Sequence, residues 1–545
     1  MLRRDRHFRR RTVTWLVAGV AAAGLLLGVG ASAAAPSQAN RGDAGTNLTW
    51  AIQTNPASLF NAFCFCTVGQ TVMSLVQDHI LAPGTFGQPT TGDGAVVSAW
   101  KAVSPTVYRY TVKPGIKFSD GSTLNAADVA FSLNVHRDPA TGSKVASFFG
   151  NVISIKSKGN VVTVELRKPD SNWQYVPTAT PGLVYSQDDY LKKPSAYGTP
   201  SGLPLGTGPY RFKEWQPNAK IVLDRNPYYT GKRKYPFDTI TIPIIPNEQA
   251  LLLAVQSGEV DGTFAVPAAN FGSWQKAPNT KVGSFLSGGW RGFSFDTEDG
   301  PFKDVNVRRA LAYSLDMDGI NKALNSGIGQ VLTGMPPLIF LRGILPKAEI
   351  DAALKKVPKY PFSVEKAKAE LAKSKYPNGF TTTMNIPGPC LPCTLLSVAL
   401  QQGAKAIGIT INFNVMPGPP RFQVILDHKP GLGIQVLGQS PDTPNPLQFQ
   451  DLLYTGSHAA PGFENSANLK NPAIDKLIAQ GLASTDIKVA ARNALKVQAI
   501  VAREVPYIHV FTFPVAWAVK KGWSLKSSIG PFYYNQIWLQ HLVSK

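Results

Sequence analysis

Tyr108-Arg-Tyr-Thr-Val-Lys-Pro-Gly-Ile-Lys-Phe-Ser-Asp-Gly-Ser-Thr-Leu-Asn-Ala-Ala-Asp-Val-Ala-Phe-Ser-Leu133 is the stretch from which the rest of this sequence is best read. Its first five residues alternate in the manner of a half-buried strand, and Lys113-Pro114-Gly115 supplies the turn that stops it. Asp120-Gly121 marks a second tight turn. Asn125, with Asp128 three residues on, is a capping-box-like helix start, and Val129, Leu133 and Val135 give the helix an apolar face. Asp120 and Asp128 are thereby explained as turn and cap residues. Strand, turns and capped helix in one short block are α+β organisation.

The pattern extends in both directions. Upstream, Leu48 to Gln53 reads as a strand and Val72 to Leu81 as a short helix. Downstream, Val152 to Lys156 and Val161 to Leu166 form a hairpin around Lys158-Gly159-Asn160. Gly206-Thr-Gly-Pro-Tyr-Arg-Phe212 leads into a strand at Lys220 to Asp224; with no helix pattern after Gly208 and no Gly-Lys-Ser/Thr, it is a backbone turn and not a phosphate loop. Ile240 to Ile245 is a strand, and Asn247 to Ser257 a helix ended by Gly258. Beyond Phe264 a second α/β unit begins. Its strands are Phe293 to Phe295, Thr381 to Ile386, Ile409 to Val415 and Gly433 to Leu437. Its helices are Val305 to Leu315, Pro361 to Ala372 and Leu395 to Ile407.

A chain of 545 residues has room for two to four domains at about 150 residues each. Hydrophobic residues at 44% against 16% charged exclude a disordered chain or a long coiled coil. The net charge of +21 is partly N-terminal. Six arginines between Arg3 and Arg11, the apolar run Trp15 to Gly30 and Ala31-Ser-Ala-Ala-Ala35 have the order of a secretory signal peptide, residues 1–33, followed by a polar linker, 34–44. Without residues 1–33 the charge is +16. The basic residues are dispersed, so the sequence points to no nucleic-acid partner.

The four cysteines form two close pairs, Cys64-Phe-Cys66 and Cys390-Leu-Pro-Cys393. In an oxidising compartment disulfides are the first expectation; four cysteines allow three connectivities, of which a local Cys390–Cys393 bridge closes most easily. A four-thiolate zinc site and a thioredoxin-like redox pair are the alternatives. The second is disfavoured because Cys390 lies in a Pro-Gly-rich loop with no clear capped helix start. The histidines after residue 33 have no metal-ligand spacing, and neither a nucleophile elbow nor a Walker loop occurs. No cofactor, metal or catalytic residue is indicated, although paired glycosidase carboxylates stay open.

Four stretches together resemble family 5 extracellular solute-binding proteins, the dipeptide, oligopeptide and nickel receptors of ABC importers. They are the opening block, Gly206 to Phe212 with Arg225-Asn-Pro-Tyr-Tyr229, Pro301-Phe-Lys-Asp-Val-Asn-Val-Arg-Arg-Ala-Leu-Ala-Tyr-Ser-Leu315, and Asn471-Pro-Ala-Ile-Asp-Lys-Leu477. The resemblance implies a two-lobed α/β periplasmic-binding-protein-like fold (type II, cluster C) with a hinge and an interlobe ligand cleft. Lobe I would comprise 45–270 and the return segment 505–545, and lobe II 271–504. It also implies a monomer that takes a peptide or small-molecule ligand and delivers it to ABC permease subunits. No cysteine follows the apolar N-terminal run, so the receptor is expected free in the periplasm or cell envelope, or held by an uncleaved N-terminus. Sugar or metal-chelate receptors of the same family and a secreted hydrolase are the alternatives.

Within the resemblance, Asp442 in Ser440-Pro-Asp-Thr-Pro-Asn-Pro446 matches the loop whose aspartate pairs with a peptide's α-amino group; a turn-capping Asp is the plain reading. Three residues earlier, where the family often has Trp, stands Gln439. Trp290 matches a cleft-lining region, with a core Trp as the equal alternative, and Phe63 and Phe65 lie in a loop that approaches the ligand. Both cysteine pairs are expected near the cleft rim.

Overall fold

The computed structural model describes residues 46–544 apart from 336 and 389, so the expected signal peptide and linker lie outside the described residues. The opening block folds as its chemistry dictates. Val107–Val112 is an inner strand of a four-stranded antiparallel sheet, flanked by Val97–Ser104 and by Val161–Leu166, which pairs on with Val152–Lys158. Asn125 Oδ1 accepts from the backbone N–H of Ala127 (2.7 Å) and Asp128 (3.2 Å), while Asp128 Oδ2 accepts from Asn125 N–H (3.0 Å). That reciprocal capping box launches the helix Ala126–Asn134, whose Val129 and Leu133 are fully buried against the sheet.

A second, eleven-stranded sheet runs through both lobes. From one edge its order is Thr410–Pro417, Thr381–Gly388, Ile434–Gln439, Thr280–Phe295, Tyr507–Lys520, Gly262–Val266, Asn47–Ala51, Thr239–Pro243, Lys220–Arg225 and Tyr210–Gln216, with Gln330–Val331 paired separately to Tyr507–Lys520. The parallel pair Thr381–Gly388 and Thr410–Pro417 is joined by the helix Leu391–Lys405, the crossover that parallel strands require. Two long strands, Thr280–Phe295 and Tyr507–Lys520, carry the ladder from one lobe to the other. Their register shifts between Leu286 and Trp290, where Gly288 has φ +75° and an added Cβ would lie 2.7 Å from the Phe340 ring. Glycine is required there on both counts. Among the described residues no helix is long and apolar enough to cross a membrane.

Two expectations need correction. The helix near the N-terminus is Thr67–Met73, not Val72 to Leu81. The helix runs out in a turn through residues 74–76 instead, where the carbonyls of Leu75 and Val76 accept from Tyr210 N–H (3.0 Å) and Gly208 N–H (2.8 Å). A Cβ on Gly206 would lie 1.9 Å from the Val76 oxygen, so the glycines of Gly206-Thr-Gly208 serve close backbone packing. The second correction is at Cys390, which is the N-cap position of Leu391–Lys405, though without a side-chain cap bond. The Pro-Gly-rich stretch hid a helix start because Pro392 is tolerated in a first turn.

Candidate functional site

The strand Ile434–Gln439 ends at a cavity of about 390 Å³, and the loop that follows carries Asp442 into it. Three separate parts of the chain wall this space. Phe65, Cys66, Thr67 and Gln70 come from the loop and helix after the first strand. Gln439, Asp442, Gln448, Phe449 and Glu464 come from the end of the strand Ile434–Gln439 and the segment after it. Tyr534 and Asn535 belong to the C-terminal return, and Tyr534 Oη donates to the Pro441 carbonyl (2.9 Å), fixing the loop from the other side.

Asp442 is held by Gln448, whose Nε2 donates to its Oδ2 at 2.9 Å. Burial pushes the Asp442 carboxyl from 3.8 up to about 7, the charge of Glu464 adds to the rise, and the Gln448 hydrogen bond opposes it. Glu464 is raised too, by burial, against a hydrogen bond from Gln439 Nε2. Two carboxyls thus share a desolvated space, and among the described residues neither forms an ion pair with a Lys, Arg or His. Such an arrangement can be relieved either by protonation or by a cation placed beside it. Among the described residues no three His, Cys, Asp or Glu side chains converge as metal ligands. A separate, mostly apolar cavity of about 310 Å³ around Met317, Phe362 and Val501 shares no residue with the cleft.

Of the residues singled out by sequence, Asp442, Gln439 and Phe65 line the cavity, Phe65 being 40% exposed with its edge on Phe148. Phe63 does not; it packs edge-on against Phe60 in the main hydrophobic core. Trp290 is 0% exposed against Tyr507 and His509 and does not line the cavity, which is the core alternative of the two readings and corrects the cleft-lining one. The cysteines pair locally, Cys64 with Cys66 and Cys390 with Cys393, at Cα separations of 5.2 and 5.3 Å. Cys66 lines the cavity, and Cys393 lines a smaller chamber beside it. Sequence reasoning missed Glu464, Gln448 and Tyr534. Gln448 alone had a signal, an amide at the start of the helix Gln448–Tyr454 just after the Asp442 loop.

Comparison with known proteins agrees with this geometry. Residues 94–461 match the family described as bacterial extracellular solute-binding proteins, family 5 middle. The oligopeptide-binding protein AppA of Bacillus subtilis is 26% identical over 430 residues, covering 74% of this chain and 75% of AppA. The glutathione-binding protein GsiB of Escherichia coli K12 is 26% identical over 414 residues, covering 74% and 78%. The solved structure of the periplasmic binding protein DppA from Helicobacter pylori, in complex with peptide STSA, superposes with a TM-score of 0.72 at 21% identity, covering 92% of this chain and 98% of DppA. The fold is therefore the two-lobed one, and the chain belongs to the family 5 bacterial extracellular solute-binding proteins.

Proposed function

We propose that the protein is the extracytoplasmic receptor of an ABC importer, capturing a short peptide or peptide-like solute in the interlobe cleft and handing it to the permease. The observation that carries this is the pair of buried carboxyls, Asp442 and Glu464, without an ion-pair partner among the described residues, in a cavity walled by distant parts of the chain. A solute ammonium seated there gains charge-assisted hydrogen bonds and relieves the repulsion between the carboxyls. Relatives named for oligopeptide and glutathione binding favour the same class of ligand.

On this reading residues 1–33 are a cleaved signal and 34–44 a linker. Lobe I is 45–270 with 505–545, and lobe II is 271–504. The protein works as an exported monomer with no cofactor. Contacts to both lobes favour the closed form, which a permease can distinguish from the open one. Thermal-shift screening of peptide, sugar and chelate libraries tests this. A ligand at 100 times its Kd adds about 2.7 kcal/mol of stability. The hit should be recovered chemically unchanged; its hydrolysis would favour a secreted hydrolase using the same two carboxyls.

A further inference from the structure

Beside the main cavity lies a chamber of about 160 Å³; Phe422, Gln439 and Glu464 line both. Its remaining wall is largely apolar, with Leu437, Leu453 and Ile425 among its residues, apart from two arginines. The Arg421 guanidinium is committed to the fold, donating to the Asn385 carbonyl (3.2 Å) and to Gln435 Oε1 (3.3 Å). Arg291 is not. Its guanidinium lies over the Phe513 ring at 5.4 Å, and its Nη1 reaches only the Cys393 sulfur, at 3.5 Å. Burial lowers its pKa and no acidic group counters the shift.

The placement of Arg291 is built into the sheet. It stands opposite Gly438 across the pair Thr280–Phe295 and Ile434–Gln439. A Cβ at Gly438 would lie 3.0 Å from Arg291 Cγ and 3.4 Å from Nη1, so only glycine lets the arginine cross the neighbouring strand unhindered. A half-buried guanidinium with no ion-pair partner among the described residues, at the wall of a chamber next to the main cavity whose one carboxyl is Glu464, fits an anion presented by the ligand. The chamber is the size of a cavity that holds one small ring, about 150 Å³, so it has room for a side chain of several atoms and not for a whole peptide.

We propose that this chamber is an acid-selective subsite, in which a carboxylate of the captured solute pairs with Arg291. The assignment rests on the receptor reading above and is independent of the ammonium role of Asp442. It narrows the ligand class to solutes bearing a carboxylate-tipped arm.

The test is calorimetric titration of the full exported protein with Glu-Ala-Ala, Ala-Glu-Ala and Ala-Ala-Glu, their Gln counterparts, and N-acetylated forms of all six. At one position Glu should be preferred to Gln by about tenfold or more, as expected for a charge-assisted pair. Arg291→Met should abolish that preference, and Arg291→Lys, which keeps the charge but loses the fork, should retain part of it. Melting temperatures establish that both variants are folded. Acetylated peptides that keep an Arg291-dependent preference uphold the subsite, and if they also bind as tightly as the free ones they refute the ammonium role. Free peptides that bind with no preference for Glu at any position overturn the subsite and leave the receptor reading standing. A preference undiminished in Arg291→Met also overturns it, as does failure of every peptide to bind.

Discussion

Gln448 grips Asp442 at both ends: its Oε1 accepts from the Asp442 backbone N–H at 3.2 Å while its Nε2 donates to Asp442 Oδ2 at 2.9 Å. The same Oε1 also accepts from Thr443 N–H at 3.1 Å. One amide therefore sets the loop's path and the carboxyl's orientation together, which is how a site on a loop acquires the rigidity of the helix behind it. Gln448→Ala should weaken ligand binding by about 1–2 kcal/mol without removing any charge. Gln448→Glu should weaken it more at neutral pH, where a third carboxylate would repel Asp442. Titration calorimetry on the two variants ranks the effects.

Asp442→Asn keeps the shape and the Gln448 contact within reach but removes the charge. Affinity for amine-bearing solutes should fall by about 2–5 kcal/mol, because the ligand ammonium is left buried beside a neutral amide. Stability of the empty protein should be unchanged or slightly raised, since a desolvated carboxyl has been neutralised. A loss of stability with unchanged affinity would return Asp442 to the role of a turn residue.

The raised pKa fixes a pH dependence. Folding favours the protonated Asp442, so its contribution to the stability of the empty protein is complete below its ordinary value of 3.8 and is lost as pH rises through about 7. A ligand ammonium draws the pKa back down. Binding at pH 6 should release a proton, and affinity should climb with pH up to about 7, by at most about tenfold per unit. Calorimetry in two buffers of different ionisation enthalpy measures the proton, and Asp442→Asn should release markedly less.

Gly69 reports on the first cysteine pair. A Cβ there would lie 2.6 Å from Cys64 Sγ and 3.1 Å from Cys66 Sγ, so Gly69→Ala should cost about 1–3 kcal/mol by denaturant unfolding. In a Cys64→Ala, Cys66→Ala background the cost should shrink, a coupling that a double-mutant cycle isolates. Alkylation of the exported protein before reduction should label none of the four cysteines.

The fold was legible where local chemistry and tertiary use agree. The Asn125 and Asp128 capping box and the Gly258 helix stop, at φ +80°, were both readable because a cap is satisfied within a few residues. Asp442 was legible through its place after a buried strand. Trp290 and Arg291 show where reading stops. Side chains alternate across a strand, and sequence cannot say which face meets the cleft. The large aromatic took the core, and the adjacent arginine took the side of the small chamber. Glu464 was illegible for another reason: it stands in an irregular stretch, and only the Gln439 contact across 25 residues brings it to the site.

The strand Tyr507–Lys520 has a consequence for how the molecule is made. It pairs with Gly262–Val266, with the whole length of Thr280–Phe295 and with Gln330–Val331, so three segments emerge from synthesis long before the partner that completes them. Each half of the sheet can pair within itself, but the two halves cannot be joined until the end of the chain is available. Pairings so distant in sequence form slowly, leaving the nascent chain open for much of its early life. The joining of the two halves is therefore a late event, set by Tyr507–Lys520 near the end of the chain and not by the strands made first.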